Sequence, residues 1–134
     1  MLKTQIDDFD KRRFDSALRA KFITDCLTFN DSKMMKNYIG RKCIVRCYGA
    51  GVFFGEVREV TSDPNGLNVR LGNARKIWYW HGAAAAEQLS QDGCDDDSKI
   101  TVTVPDLVVA TAVQIIPCSD KAIANIEAKK EWKR

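Results

Sequence analysis

Histidine is almost missing from this sequence: His81 stands alone among 134 residues. A metal centre needs three or four His, Cys or carboxylate ligands, and one histidine with scattered cysteines supplies no recognisable set. The same scarcity speaks against catalysis. No Ser- or Cys-centred nucleophile motif surrounds His81, and no carboxylate stands near it in sequence to orient it. No C-x-x-C occurs among the five cysteines, Cys26, Cys43, Cys47, Cys94 and Cys118, and no signal-peptide pattern precedes them. They read as reduced thiols packed like small apolar residues, in a cytoplasmic protein. Long apolar runs are lacking as well: the longest, Leu107–Val113, is broken by Thr111, far short of the ~20 residues that span a bilayer. No membrane, metal or cofactor is implied.

Dense charge of one sign is also missing. The net charge of +3 is uneven, with seven Lys/Arg against three Asp/Glu over residues 37–82 and six against nine over 83–134. Even the basic middle holds no cationic run beyond Arg41-Lys42 or Arg75-Lys76, which is too dilute for a nucleic-acid footprint. Three successive aspartates, Asp95-Asp96-Asp97, lack the alternating ligand spacing and closing glutamate of a calcium loop and read as a solvated turn.

What is present divides at about residue 36. Residues 9–28 carry Phe14, Leu18, Phe22 and Cys26 in steps of four, one apolar stripe of an added N-terminal helix. Residues 37–134 read as an α+β core built on a strongly curved antiparallel sheet or partial barrel. Arg41–Tyr48 and Val52–Thr61 alternate as strands around the Gly49-Ala50-Gly51 turn. Asp63-Pro64-Asn65-Gly66 is a tight turn, because Pro presets φ and Asn-Gly tolerates positive φ. Leu67–Leu71 follows, and Gly72-Asn73 is expected to bend the chain before a separate strand that carries Trp78 and Trp80. A short alanine helix is expected from Ala83 to about Gln91, stopped by Gly93. Ile100–Val104 then alternates as a half-buried strand, Pro105-Asp106 marks a break or an edge, and apolar Leu107–Ile116 reads as a central strand covered on both faces. Ser119 or Asp120 caps a C-terminal helix.

The stretch Asn73–Ala86 concentrates the chemistry. Arg75 and Lys76 offer cations, Trp78, Tyr79 and Trp80 offer rings, and His81 offers an imidazole. Gly82 and Ala83 open a helix whose unpaired N–H groups favour an anion. In a regular strand Trp78 and Trp80 share one face, opposite Arg75, Ile77, Tyr79 and His81, so both tryptophans are expected to be core if one is. Together these eight residues, Arg75, Lys76, Trp78–Ala83, form a candidate site for a flat ring that carries phosphate, with Arg75 expected to contribute in every arrangement.

The motifs Tyr48-Gly-Ala-Gly51-Val52-Phe-Phe-Gly55, Asn73-Ala74-Arg75-Lys-Ile-Trp78-Tyr-Trp80-His-Gly82-Ala83, Ile115-Ile116-Pro117-Cys118 and Glu131-Trp132-Lys133 carry a resemblance. Over roughly residues 38–133 the chain resembles a family of small phage-encoded proteins of unknown function. The resemblance implies phage origin, action inside a bacterial cell and no assigned catalytic residues. The expected function is accordingly non-enzymatic: a homo-oligomer that binds a nucleotide-like anionic small molecule, for instance to blunt a host defence signal. The other class is a phage structural or assembly module, its aromatics buried in a subunit interface.

Overall fold

The computed structural model describes residues 35–134. The helix expected over residues 9–28 lies outside them, as does nearly all of the 1–36 extension. After a 3-10 turn at Met35–Asn37 the chain forms a meander of β1 (Lys42–Cys47), β2 (Gly51–Asp63) and β3 (Gly66–Tyr79). Helix α1 (Ala86–Asp92), β4 (Lys99–Ile100), β5 (Val104–Ala112), β6 (Gln114–Pro117) and helix α2 (Asp120–Glu127) complete it. Every strand pairing is antiparallel, in the order β4-β3-β2-β1-β6, with β5 also on β3. Since β5 and β6 are separated only by Val113, the far ends of the ladder are joined by one residue, and the sheet is curled into a half-barrel. The α+β reading with a partial barrel therefore holds.

Bulges supply the curl. Phe54 pairs with Arg75 but Glu56 pairs with Gly72, so Asn73 and Ala74 together oppose Gly55. Such a bulge bends a strand and raises its twist, and Asn73 takes the left-handed φ of 48° that it needs. Gly72-Asn73 is thus a kink within one continuous fourteen-residue strand, not a break between two. Gly55 fits that bend closely, since an added Cβ would lie 3.1 Å from Leu71 Cβ and 3.2 Å from Ala74 Cα. The run from Leu107 to Ile116 is corrected too. Thr111, at φ 58°, kinks the end of β5, where Asn68 Oδ1 accepts its N–H at 3.2 Å, and Val113 then divides β5 from β6. It is not central with both faces covered, since Val108 is exposed on β5. Pro105 lies inside β5 and breaks no strand. The edge reading fits, since among the described strands β5 pairs only with β3 and its other side leaves proline's missing N–H unneeded.

Both faces of the sheet carry a core. Cys43, Val45, Phe53, Val57, Val69, Leu71 and Val109 fill the inside of the curl. Ile44, Phe54, Ile77, Leu89, Ile100 and Ile126 pack between the sheet and the two helices. Neighbours such as Phe53 and Phe54 are therefore both buried, and each such side chain contributes about 1.5–3 kcal/mol of hydrophobic stabilisation. The Pro64-Asn65 turn forms as expected, with Asp63 Oδ1 accepting the Asn65 N–H at 2.8 Å. Ser119 caps α2 by accepting the Ala122 N–H at 3.1 Å. Among the described residues no helix is long and apolar enough to cross a membrane.

Candidate functional site

The bulge at Asn73–Ala74 sets the direction of the side chains that follow it as far as Ile77. Arg75 turns inward and is only 4% exposed. Its Nε donates to Thr101 O at 3.0 Å, Nη1 to Ile126 O at 2.8 Å and Nη2 to Ile100 O at 3.3 Å. Burial pulls its pKa down, and the Glu131 carboxylate partly offsets that. The guanidinium ties β3 to the β4 segment and to the end of α2. Its donors are engaged by carbonyls rather than turned to the surface where a phosphate would sit. Lys76, one residue on, lies over the Phe53 ring with Nζ 5.9 Å from the centroid.

The tryptophans separate, against the expectation that they share a fate. β3 ends at Tyr79, so strict alternation stops before Trp80. Trp80 packs against the helix-side core and donates its indole N–H to Ala83 O at 3.2 Å. Trp78 is 52% exposed and stacks on Trp132, centroids 4.9 Å apart and planes at 21°. Lys99 Nζ lies 5.4 Å from each of the two ring centroids, and the Arg134 guanidinium lies 5.9 Å from that of Trp132. Tyr79 beside them is exposed. Trp132 is positioned by its N–H, which donates to Ile100 O at 2.8 Å, and by the parallel bridge between Ile100 and Glu131. Below it opens a hollow of about 360 Å³ lined by Asp96, Ser98, Lys129, Lys130, Glu131 and Trp132. Lys129 is paired with Asp96 at 2.8 Å across that hollow.

His81 and Gly82 sit at a third place. His81 Nδ1 meets Asp95 Oδ2 at 2.5 Å, an ion pair when the imidazole is protonated. The Asp95 hydrogen bond and charge, with Asp97 behind, raise the His81 pKa, while the bond to His81 holds that of Asp95 down. The Asp95 N–H donates to His81 O at 2.9 Å and the His81 N–H to Ser98 Oγ at 3.0 Å, so the aspartate turn is fastened under the end of β3. Gly82, at φ 94°, faces the Asp95 carboxylate. His81, Asp95 and Asp97 bring three ligand-type atoms within 4.8 Å of one another, all exposed.

The helix expected to open at Ala83 begins at Ala86. Ala85, at φ −155°, is its uncapped N-cap, and Ala83 and Ala84 lie in the preceding turn. Seven residues make a short helix, and Gln88 Oε1 occupies the Ala84 N–H at 2.8 Å. Gly82 and Ala83 therefore do not form an anion-binding helix start.

Of the eight residues singled out by the sequence, the structure places only Trp78 and Tyr79 on an exposed aromatic surface. Arg75 and Trp80 turn toward the core, Lys76 covers Phe53, and His81 with Gly82 joins the aspartate turn. Sequence reasoning missed Lys99, Trp132 and Asp95. The motif ending Glu131-Trp132-Lys133 was the one signal that pointed to the tail, and no periodicity ties it to Trp78.

No curated protein and no solved structure matches the chain. A family model matches residues 40–126, a span that holds Arg75, Trp78 and His81 and stops short of Trp132. The chain belongs to this family, whose description is domain of unknown function (DUF6948).

Proposed function

We propose that the chain is a non-enzymatic phage accessory protein that acts in the bacterial cytoplasm as a homo-oligomer and binds a nucleotide-like anionic small molecule. Trp78 and Trp132 are its stacking platform and Lys99 its phosphate cation. The reading rests on one observation above the others: two stacked tryptophans, one of them half-exposed, with an ammonium 5.4 Å from both rings. A flat base extends such a stack by offset packing, and a ring-bound ammonium remains open to a second, anionic partner. Arg134, over the Trp132 ring, adds a second cation on the same side. Capture of a host defence signal is the role that suits a small binder without catalytic machinery.

Tryptophan fluorescence and melting temperature, followed across mono-, di- and cyclic nucleotides, test the proposal. Saturable quenching with a rise in melting temperature is expected for one class. Lys99→Ala should weaken it about ten- to a hundredfold, as for loss of a charge-assisted contact of ~1.5–3 kcal/mol. A wild-type protein unmoved by the whole panel would leave the second reading, an assembly module with an aromatic subunit interface. The exposure of Tyr79 beside Trp78 favours that one, since such pairs are enriched where subunits meet.

A further inference from the structure

A second hollow, of about 410 Å³, lies between the β1–β2 turn and α1 and shares no lining residue with the one below Trp132. Arg46, Tyr48, Val52, Trp80, Ala86 and Glu87 line it. The strand register builds one wall. Arg46 on β1 stands opposite Val52 on β2 and Gln114 on β6, and residues directly opposite share a face of the sheet. Val52 and Trp80 pack against the helix-side core, which gives the hollow an apolar floor. Glu87, in the first turn of α1, supplies a charge opposite to that of Arg46.

The two charges do not meet each other. Arg46 Nη1 donates to Gln114 Oε1 at 3.1 Å, and Gln114 Nε2 donates to Glu87 Oε2 at 2.9 Å. Among the described residues neither charged group takes part in an ion pair. A guanidinium has five N–H donors and a carboxylate about four lone-pair sites, so each keeps capacity beyond Gln114. Through the amide, the guanidinium nitrogen and the carboxylate oxygen stand at most about 8 Å apart. A molecule with an ammonium and a carboxylate about 3 Å apart, and a hydrogen bond of about 2.8 Å at each end, spans such a gap. A lone anion would meet the repulsion of Glu87, and a lone cation that of Arg46. We propose that this hollow binds a free α-amino acid with an apolar side chain. Its carboxylate lies on Arg46, its ammonium on Glu87 and its side chain over Val52 and Trp80. Gln114 is a positioning residue that holds the two charged groups at their separation.

Backbone amide shifts of the full chain, followed by NMR as L-phenylalanine is added, test this. Saturable shifts should centre on Val52, Ala86 and Glu87. N-acetyl-L-phenylalanine lacks the ammonium and L-phenylalaninamide lacks the carboxylate, and each should bind at least about tenfold more weakly. Glu87→Gln, at an exposed side chain, should weaken L-phenylalanine by the same factor and leave the N-acetyl compound no weaker. Arg46→Gln should also weaken L-phenylalanine, sparing the amide instead. Equal affinity for all three compounds would reduce the hollow to an apolar surface and overturn the proposal. So would shifts centred on Trp78 and Tyr79, which would move the amino acid to the aromatic platform. An absence of shifts at millimolar L-phenylalanine would overturn it equally.

Discussion

Arg75 and Trp78 stand three residues apart on β3, and both belong to the stretch whose composition reads as a ligand site. The structure treats them oppositely. Arg75 spends its charge inward, on carbonyls of Ile100, Thr101 and Ile126, and acts as a lock between strand and helix layer. Trp78 turns outward onto Trp132 and Lys99. A residue type that suits a phosphate suits equally well a cluster of buried carbonyls, because a guanidinium meets either with several directed donors. Burial decides between the two, and burial here follows from a one-residue bulge.

The largest effects should come from exchanging the two roles. Arg75→Ala removes three hydrogen bonds and empties a buried guanidinium site, so although Ile100 O keeps the Trp132 N–H and Ile126 O the Lys129 N–H, about 3–5 kcal/mol should be lost. The melting temperature should fall by more than about 10 °C. Trp78→Ala removes one partner of a half-exposed stack and should cost only about 0.5–1.5 kcal/mol. Calorimetry of the two variants compares them directly. An Arg75→Ala protein as stable as Trp78→Ala would break the contrast and return Arg75 to the candidates for ligand binding.

The bulge itself is the next target. Gly55→Ala presses a methyl against Leu71 Cβ and the Ala74 backbone, neither of which can withdraw, so about 1–3 kcal/mol should be lost. Gly72→Ala meets only the Arg58 guanidinium, the far end of an exposed side chain paired with Glu56, which can swing aside. Denaturant midpoints should rank Gly55→Ala well below Gly72→Ala. Equal midpoints would mean that the bend at Gly55 is not closely packed.

What could be read beforehand was local. Pro64-Asn65 announces a hairpin, Gly93 a helix stop and Ser119 a cap, because each device is complete within a few residues. Gly72-Asn73 was legible as an irregularity but not as which one, since a turn and a bulge call for the same positive-φ residues. The alanine run marked the helix region, yet propensity could not show that Ala83 O would be taken by the Trp80 indole and the start delayed to Ala86. The candidate site was legible only in part for a reason of distance. Arg75 meets Ile126 O from 51 residues away, and no pattern around Trp78 names Trp132 or Lys99 as its neighbours.

The smallest effect lies at His81, where an exposed pair replaces the buried lock of Arg75. Asp95 raises the folded-state pKa of His81, so this pair stabilises the fold fully below the ordinary histidine value of about 6.5 and loses that contribution as pH rises through the raised value. The lowered pKa of Asp95 sets the other limit: its share is present above about 3.9 and is lost as pH falls through the folded value. The window for the pair therefore runs from about pH 4 to about 6.5 at full strength. Because both side chains face solvent, water and salt screen the attraction, and the global melting temperature should hardly register it. The titration of the His81 ring protons by NMR is the sensitive readout. Its midpoint should lie above 6.5, and Asp95→Asn should move it back toward that value. A wild-type midpoint at or below 6.5 would show that the aspartate turn does not hold its carboxylate against the imidazole in solution. A midpoint that instead stays high in Asp95→Asn would shift the credit to Asp97, the second carboxylate in reach.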